Sequence, residues 1–115
     1  MRDKANDSAR LELMLEALTN IEAFLTDITD YNQFVGNKML CHAVIYNLQC
    51  IGESGYMLTK EYKDLHPVVK WKAIEGLRHV LVHDYYQVEL ETIWSIIQND
   101  LNPLQLFLQS EVKDS

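Results

Sequence analysis

The sequence predicts an all-α protein: an antiparallel four-helix bundle with one short extra helix. Three observations carry that expectation. Apolar residues recur at three- and four-residue spacing along nearly the whole chain, the period of helices with one buried face. Gly and Pro are scarce, at 4 and 2 residues, whereas a β-sandwich or barrel needs a turn signal about every ten residues. The chain has 115 residues, 48% of them hydrophobic. That is enough to bury the core of one domain and too little for two.

The elements follow in order. Met1–Asn6 is polar and reads as a loose lead-in, and Asp7 or Ser8 is the expected cap of the first helix. Leu11, Met14, Leu15, Leu18, Ile21, Leu25 and Ile28 then form one stripe of a helix of about 20 residues. Glu12, Glu16, Asn20 and Asp27 occupy its other face. Asp30-Tyr31-Asn32-Gln33 has the form of a capping box. It opens a second long pattern through Phe34, Cys41, Val44, Ile45, Leu48 and Ile51 to about Met57. Gly36 and Gly52 weaken that helix locally without ending it. Lys60–Leu65 is a charged turn or short helix. Pro67 starts or precedes a third helix that carries Trp71, Ile74, Leu77, Leu81 and Tyr85 on one side. The fourth runs from about Glu89 through Ile93, Ile96, Ile97, Leu101, Leu104 and Leu108, with Pro103 expected to kink or split it. Glu111–Ser115 reads as a frayed tail. No repeat or domain boundary divides residues 1–115.

Composition narrows the function classes. The formal net charge is −7, which argues against a protein that coats nucleic acid non-specifically. Cys41 and Cys50 lie on one predicted helix and would be about 13–14 Å apart along its axis, too far for a disulfide. They read as core thiols of a reduced, cytoplasmic protein. Met1–Arg10 lacks the apolar stretch of a signal peptide. No apolar run approaches the roughly 18 residues of a membrane span.

The chemistry concentrates in Gly76-Leu77-Arg78-His79-Val80-Leu81-Val82-His83-Asp84-Tyr85-Tyr86. Between Pro67 and Tyr86 the cations are Lys70, Lys72 and Arg78 and the acids are Glu75 and Asp84, so this window is locally positive on an acidic body. Local positive charge is what a phosphate site requires. Three readings compete. Arg78 can be a surface residue, His83 a cation at a helix C-terminus and Tyr85 a core aromatic. His79 and His83, four apart, put two imidazoles on one face as a metal site would. A third ligand is then needed, and neither a thiolate cluster nor HExxH supplies one. In the third reading, Arg78, His83 and Tyr85 form an R-x4-H-x-Y motif for nucleic-acid cleavage.

With this motif, the chain resembles the HepT toxins, a branch of the HEPN superfamily. The likeness extends through Ile51-Gly52-Glu53, Trp71-Lys72-Ala73-Ile74, and Ile93-Trp94 with Ile96, Ile97, Leu101 and Pro103. It implies a homodimeric, metal-independent endoribonuclease that needs no cofactor. RNA supplies the 2′-hydroxyl nucleophile. His83 is then the general acid/base and Arg78 the phosphate clamp. The products would carry 2′,3′-cyclic phosphate and 5′-hydroxyl ends. The resemblance further implies an MNT-type nucleotidyltransferase antitoxin that silences the toxin by transferring AMP to Tyr85, beside which Tyr86 is an alternative acceptor. His79 stands where the family usually has asparagine. His79, Asp84 and Glu53 are supporting candidates, and Glu53 is placed either to hold Arg78 or to face solvent. His42 and His66 are isolated and read as structural, and Trp71 and Trp94 as core.

One difficulty is geometric. At about 100° per residue, Arg78 and His83 lie about 140° apart around an ideal helix. Either the helix ends before His83, or a second chain completes the site. Val35, Val80 and Val82 lie off the main stripes and would suit such an interface. Two other functions stay open: a non-catalytic HEPN module that binds nucleotide or a partner, and a helical dimerisation domain with no nucleotide role.

Overall fold

A computed structural model describes the backbone of residues 6–83 and 88–114, and the side chains of residues 6–79 and 90–112. The fold is all-α. Its helices are α1 (Asp7–Phe24), α2 (Tyr31–Val35), α3 (Lys38–Met57), α4 (Lys60–Leu65), α5 (Trp71–His83), α6 (Val88–Asn99) and α7 (Leu101–Asp114). The central element is α3, packed between α1 and α5, while α7 lies against α1 and α2 bridges α3 and α6. The core holds Met14, Ile21, Phe34, Val44, Leu48, Ile51, Ile93 and Leu108, all essentially sealed from solvent. These are the stripes that the periodicity marks, converging from five helices.

Two expected long helices are each divided. The capping box forms at Asp30, whose carboxylate accepts the Gln33 N–H at 2.9 Å, while Gln33 Oε1 accepts the Thr29 N–H at 2.7 Å. The helix it starts lasts only five residues. Asn37, with extended backbone, caps α3 anew by accepting the Leu40 N–H at 3.0 Å. The last pattern breaks at Asp100, so that Pro103 falls in the first turn of α7, where a missing N–H costs nothing. The first helix also stops early, at Phe24, although Leu25 and Ile28 still pack on the core.

Asp7 is not the cap of α1, whose N-cap is Asn6. Its buried carboxylate instead accepts the Thr59 N–H at 3.0 Å and the Thr59 hydroxyl at 2.6 Å. Thr59 Oγ1 in turn accepts the Tyr62 N–H and so caps α4. Further along, Asn20 Nδ2 donates to Asn47 Oδ1 at 3.2 Å. Residues 7 and 20 thus meet 59 and 47, which sets α1 antiparallel to α3. The end of the chain is fixed as well. Glu111 Oε1 accepts the Tyr62 hydroxyl at 2.6 Å and lies 3.5 Å from His66 Nε2, so α7 is held at the point where fraying was expected. His66, Trp71 and Phe107 complete that aromatic cluster.

Two outcomes follow. Asp7→Ala leaves two buried donors of Thr59 unpaired and should lower stability by about 2–3 kcal/mol, read by urea unfolding at pH 7. Burial and the Glu111 carboxylate push the Tyr62 phenol well above its ordinary value near 10. Folding therefore favours the neutral phenol. The stabilisation is complete below pH 10 and is lost as pH rises beyond it. Melting temperature should fall in that alkaline range for the wild type, and more gently for Tyr62→Phe.

Candidate active site

The site is built where α3 and α5 cross. Gly52 and Gly55 lie on the face of α3 that meets α5. A Cβ on Gly52 would come within 2.6 Å of the Arg78 backbone N and 3.1 Å of the Ile74 backbone O, and one on Gly55 within 2.9 Å of Ile74 Cγ2. The two backbones therefore touch, and Arg78 is the residue pressed against α3. Leu77, which faces Gly52 across the crossing, and Trp71 are both buried, as expected. The indole N–H of Trp71 donates to the His66 carbonyl at 3.0 Å and anchors the start of α5.

Arg78 is half-buried and doubly held. Its Cζ lies 3.6 Å from the centroid of the Tyr56 ring, and its Nε donates to the Glu75 carbonyl at 3.1 Å. Lys63 secures both supports. Its Nζ donates to the carbonyls of Gly55 and Tyr56, at 3.2 and 3.5 Å, and pairs with Glu75 at 2.8 Å. It acts as the cationic cap of α3. Pairing removes Glu75 as a competing anion near Arg78.

The other candidates are distributed as follows. Glu53 is exposed, and Arg78 lies instead over Tyr56, three residues further along α3. His79 is exposed on α5. His83 is the last residue of α5, so the helix continues through it and the two motif positions stay about 140° apart. The side chain of His83, and Asp84, Tyr85 and Tyr86 entirely, lie outside the described residues. Among the described residues no group of three or more His, Cys, Asp or Glu is placed to hold a metal ion, and no helix is long and apolar enough to cross a membrane. Sequence reasoning missed Tyr56, Lys63 and Glu75. The available signal was Gly52-Glu53-Ser54-Gly55-Tyr56, two glycines on one helix face followed by an aromatic.

Comparison with known proteins gives this arrangement a family. A family model described as ribonuclease HepT-like matches residues 14–111, which includes α3, α5 and Arg78. The chain belongs to the HepT-like family. It is 36% identical over 98 residues to a Methanocaldococcus jannaschii protein named "Putative RNase MJ1380", covering 85% of this chain and 89% of that one. It is 32% identical over 95 residues to the "Probable ribonuclease HepT" of Thermococcus cleftensis, covering 83% and 86%. A second M. jannaschii protein, "Putative RNase MJ0125", is 29% identical over 111 residues, covering 96% and 95%. No solved structure matches. Homology to this set supports nuclease activity for the HepT-like chain described above.

The glycines at the crossing give a contrast that unfolding experiments can read. Gly52→Ala should destabilise by about 1–2 kcal/mol, because backbone atoms meet the new methyl and overpacking outweighs the gain in helix propensity. Gly76→Ala, which meets nothing within 4 Å, should stabilise by up to about 1 kcal/mol.

Proposed function

We propose that this chain is the toxin of a HepT/MNT toxin–antitoxin pair, a cytoplasmic endoribonuclease that works without metal. The observation that carries the reading is Arg78. Its guanidinium is fixed between an aromatic face and a carbonyl, five residues before His83 on one helix, in a chain homologous to ribonucleases. Arginine's planar fork matches two phosphate oxygens, and a preorganised cation stabilises charge as it builds on the phosphorane.

The reaction then runs on the chain's own side chains. The 2′-oxygen of RNA attacks the adjacent phosphorus, and His83 takes the proton from the 2′-hydroxyl. The bond from phosphorus to the 5′-oxygen breaks. That oxygen takes a proton from a second copy of His83, leaving a 2′,3′-cyclic phosphate and a 5′-hydroxyl. Two copies of one histidine require a homodimer with a shared cleft. The angular offset between positions 78 and 83 supports this arrangement, because one straight helix does not bring them together. Exposed apolar surface supports it too. Met39 and Tyr46, seven apart on one face of α3, are 84% and 65% exposed, and Val35 on α2 is exposed as expected, while the side chains of Val80 and Val82 lie outside the described residues. In this reading Tyr85 is the acceptor of AMP from the antitoxin. An added anionic nucleotide next to Arg78 and His83 would exclude RNA phosphate.

The decisive test is cleavage of total RNA in EDTA by protein whose intact mass shows no AMP. Wild type should cut and leave cyclic-phosphate ends, with specific activity falling on dilution as dimers dissociate. His83→Ala and Arg78→Ala should each lose at least about 100-fold, with the helical fold retained. An unmodified wild type that leaves RNA intact overturns the proposal.

A further inference from the structure

We propose that Tyr56 is a positioning residue for Arg78, and that its ring sets the plane in which the guanidinium meets the scissile phosphate. The inference rests on the reading of Arg78 as phosphate clamp.

The geometry has two parts. The ring of Tyr56 supports the guanidinium from one face, with Cζ 3.6 Å from its centroid, well inside the range of a cation–π contact. The Glu75 carbonyl takes the Nε edge at 3.1 Å. One face and one edge together fix the plane of the fork. Among the described residues neither terminal Nη nitrogen has a hydrogen-bond acceptor, and these are the two atoms that a bidentate phosphate needs.

The chemistry of the support matters. A carboxylate beneath Arg78 would occupy the same Nη donors and neutralise the charge. An aromatic ring orients the cation and leaves its donors and its charge to the ligand. The nearest carboxylate on α5, Glu75, is taken by Lys63 at 2.8 Å. Lys63 also holds the Tyr56 carbonyl, so the ring stands on a backbone fixed at the end of α3. Tyr56 is half-buried, which strengthens the contact relative to one fully in water.

The test measures RNA cleavage in EDTA by wild type, Tyr56→Phe and Tyr56→Leu, each in the Arg78 and Arg78→Lys backgrounds, with melting temperatures as a fold control. Loss of the ring should lower kcat about tenfold with little change in KM, since the plane of the fork matters most where charge builds on phosphorus. Tyr56→Phe keeps the ring and should stay within about twofold of wild type. In the Arg78→Lys background, which lacks a planar fork, Tyr56→Leu should cost less than about twofold. A residue that merely packs would give the same factor in both backgrounds. Additive losses, or Tyr56→Phe as slow as Tyr56→Leu, overturn the inference while leaving the ribonuclease reading intact. An inactive wild type removes the ribonuclease reading first, and this inference with it. If Tyr56→Leu does not fold, Tyr56→Met replaces it, with the same outcomes read the same way.

Discussion

The backbone contact between α3 and α5 at Gly52 is the constraint on which the site depends. With Arg78 N within 2.6 Å of where a Cβ would stand, no larger residue lets the two helices come as close. This contact fixes the height of Arg78 along α3. Tyr56 is one turn beyond Gly52, so its ring falls under the guanidinium. Lys63 follows from the same crossing. It reaches the open carbonyls at the end of α3 and the side chain of Glu75 because the helices bring them within one lysine's span. The glycines are therefore packing devices, and their cost in helix propensity is offset by what the crossing positions.

The rest of the molecule holds α3 still. Asp7 and Thr59 join the start of α1 to the link after α3, and Asn20 and Asn47 join the two helices at mid-length. Both are contacts between buried or half-buried polar groups, which tolerate little slippage because a lost partner leaves a desolvated group unpaired. The cluster of Tyr62, His66, Trp71 and Phe107 with Glu111 ties α4, α5 and α7 together. Support for the site thus reaches α3 at its middle and at its C-terminal end.

The sequence made the helices legible because burial on one face is a periodic signal spread over many residues. Their ends were less legible. Asn37 and Asp100 interrupt patterns that continue on either side, and a single polar residue leaves the apolar count unchanged. Asp7 looked like a cap because Asp is a common cap, and nothing local reveals a partner 52 positions away. Arg78 stood out by its chemistry, but its seat did not. Glu53 suggested itself as a partner because opposite charges are the obvious pairing. An arginine–aromatic contact across two helices has no periodic mark, and Tyr56 reads in sequence as one more half-buried residue.

The choice of a ring over a carboxylate at this place has an electrostatic consequence. The chain carries a net charge of −7, so at long range it repels polyanions. That repulsion is screened beyond a Debye length of about 8 Å at physiological salt. Within that distance the local groups decide. Glu75 is paired with Lys63, while Lys70 and Lys72 lie exposed at the start of α5, and Arg78 rests on a ring that carries no charge. If Arg78 clamps phosphate as proposed, these local cations and not the net charge draw the phosphate in. On the ribonuclease reading, this favours RNA that presents a backbone into the crossing over RNA that merely drifts past, and places selectivity in the fit of phosphate to a fixed fork rather than in bulk charge.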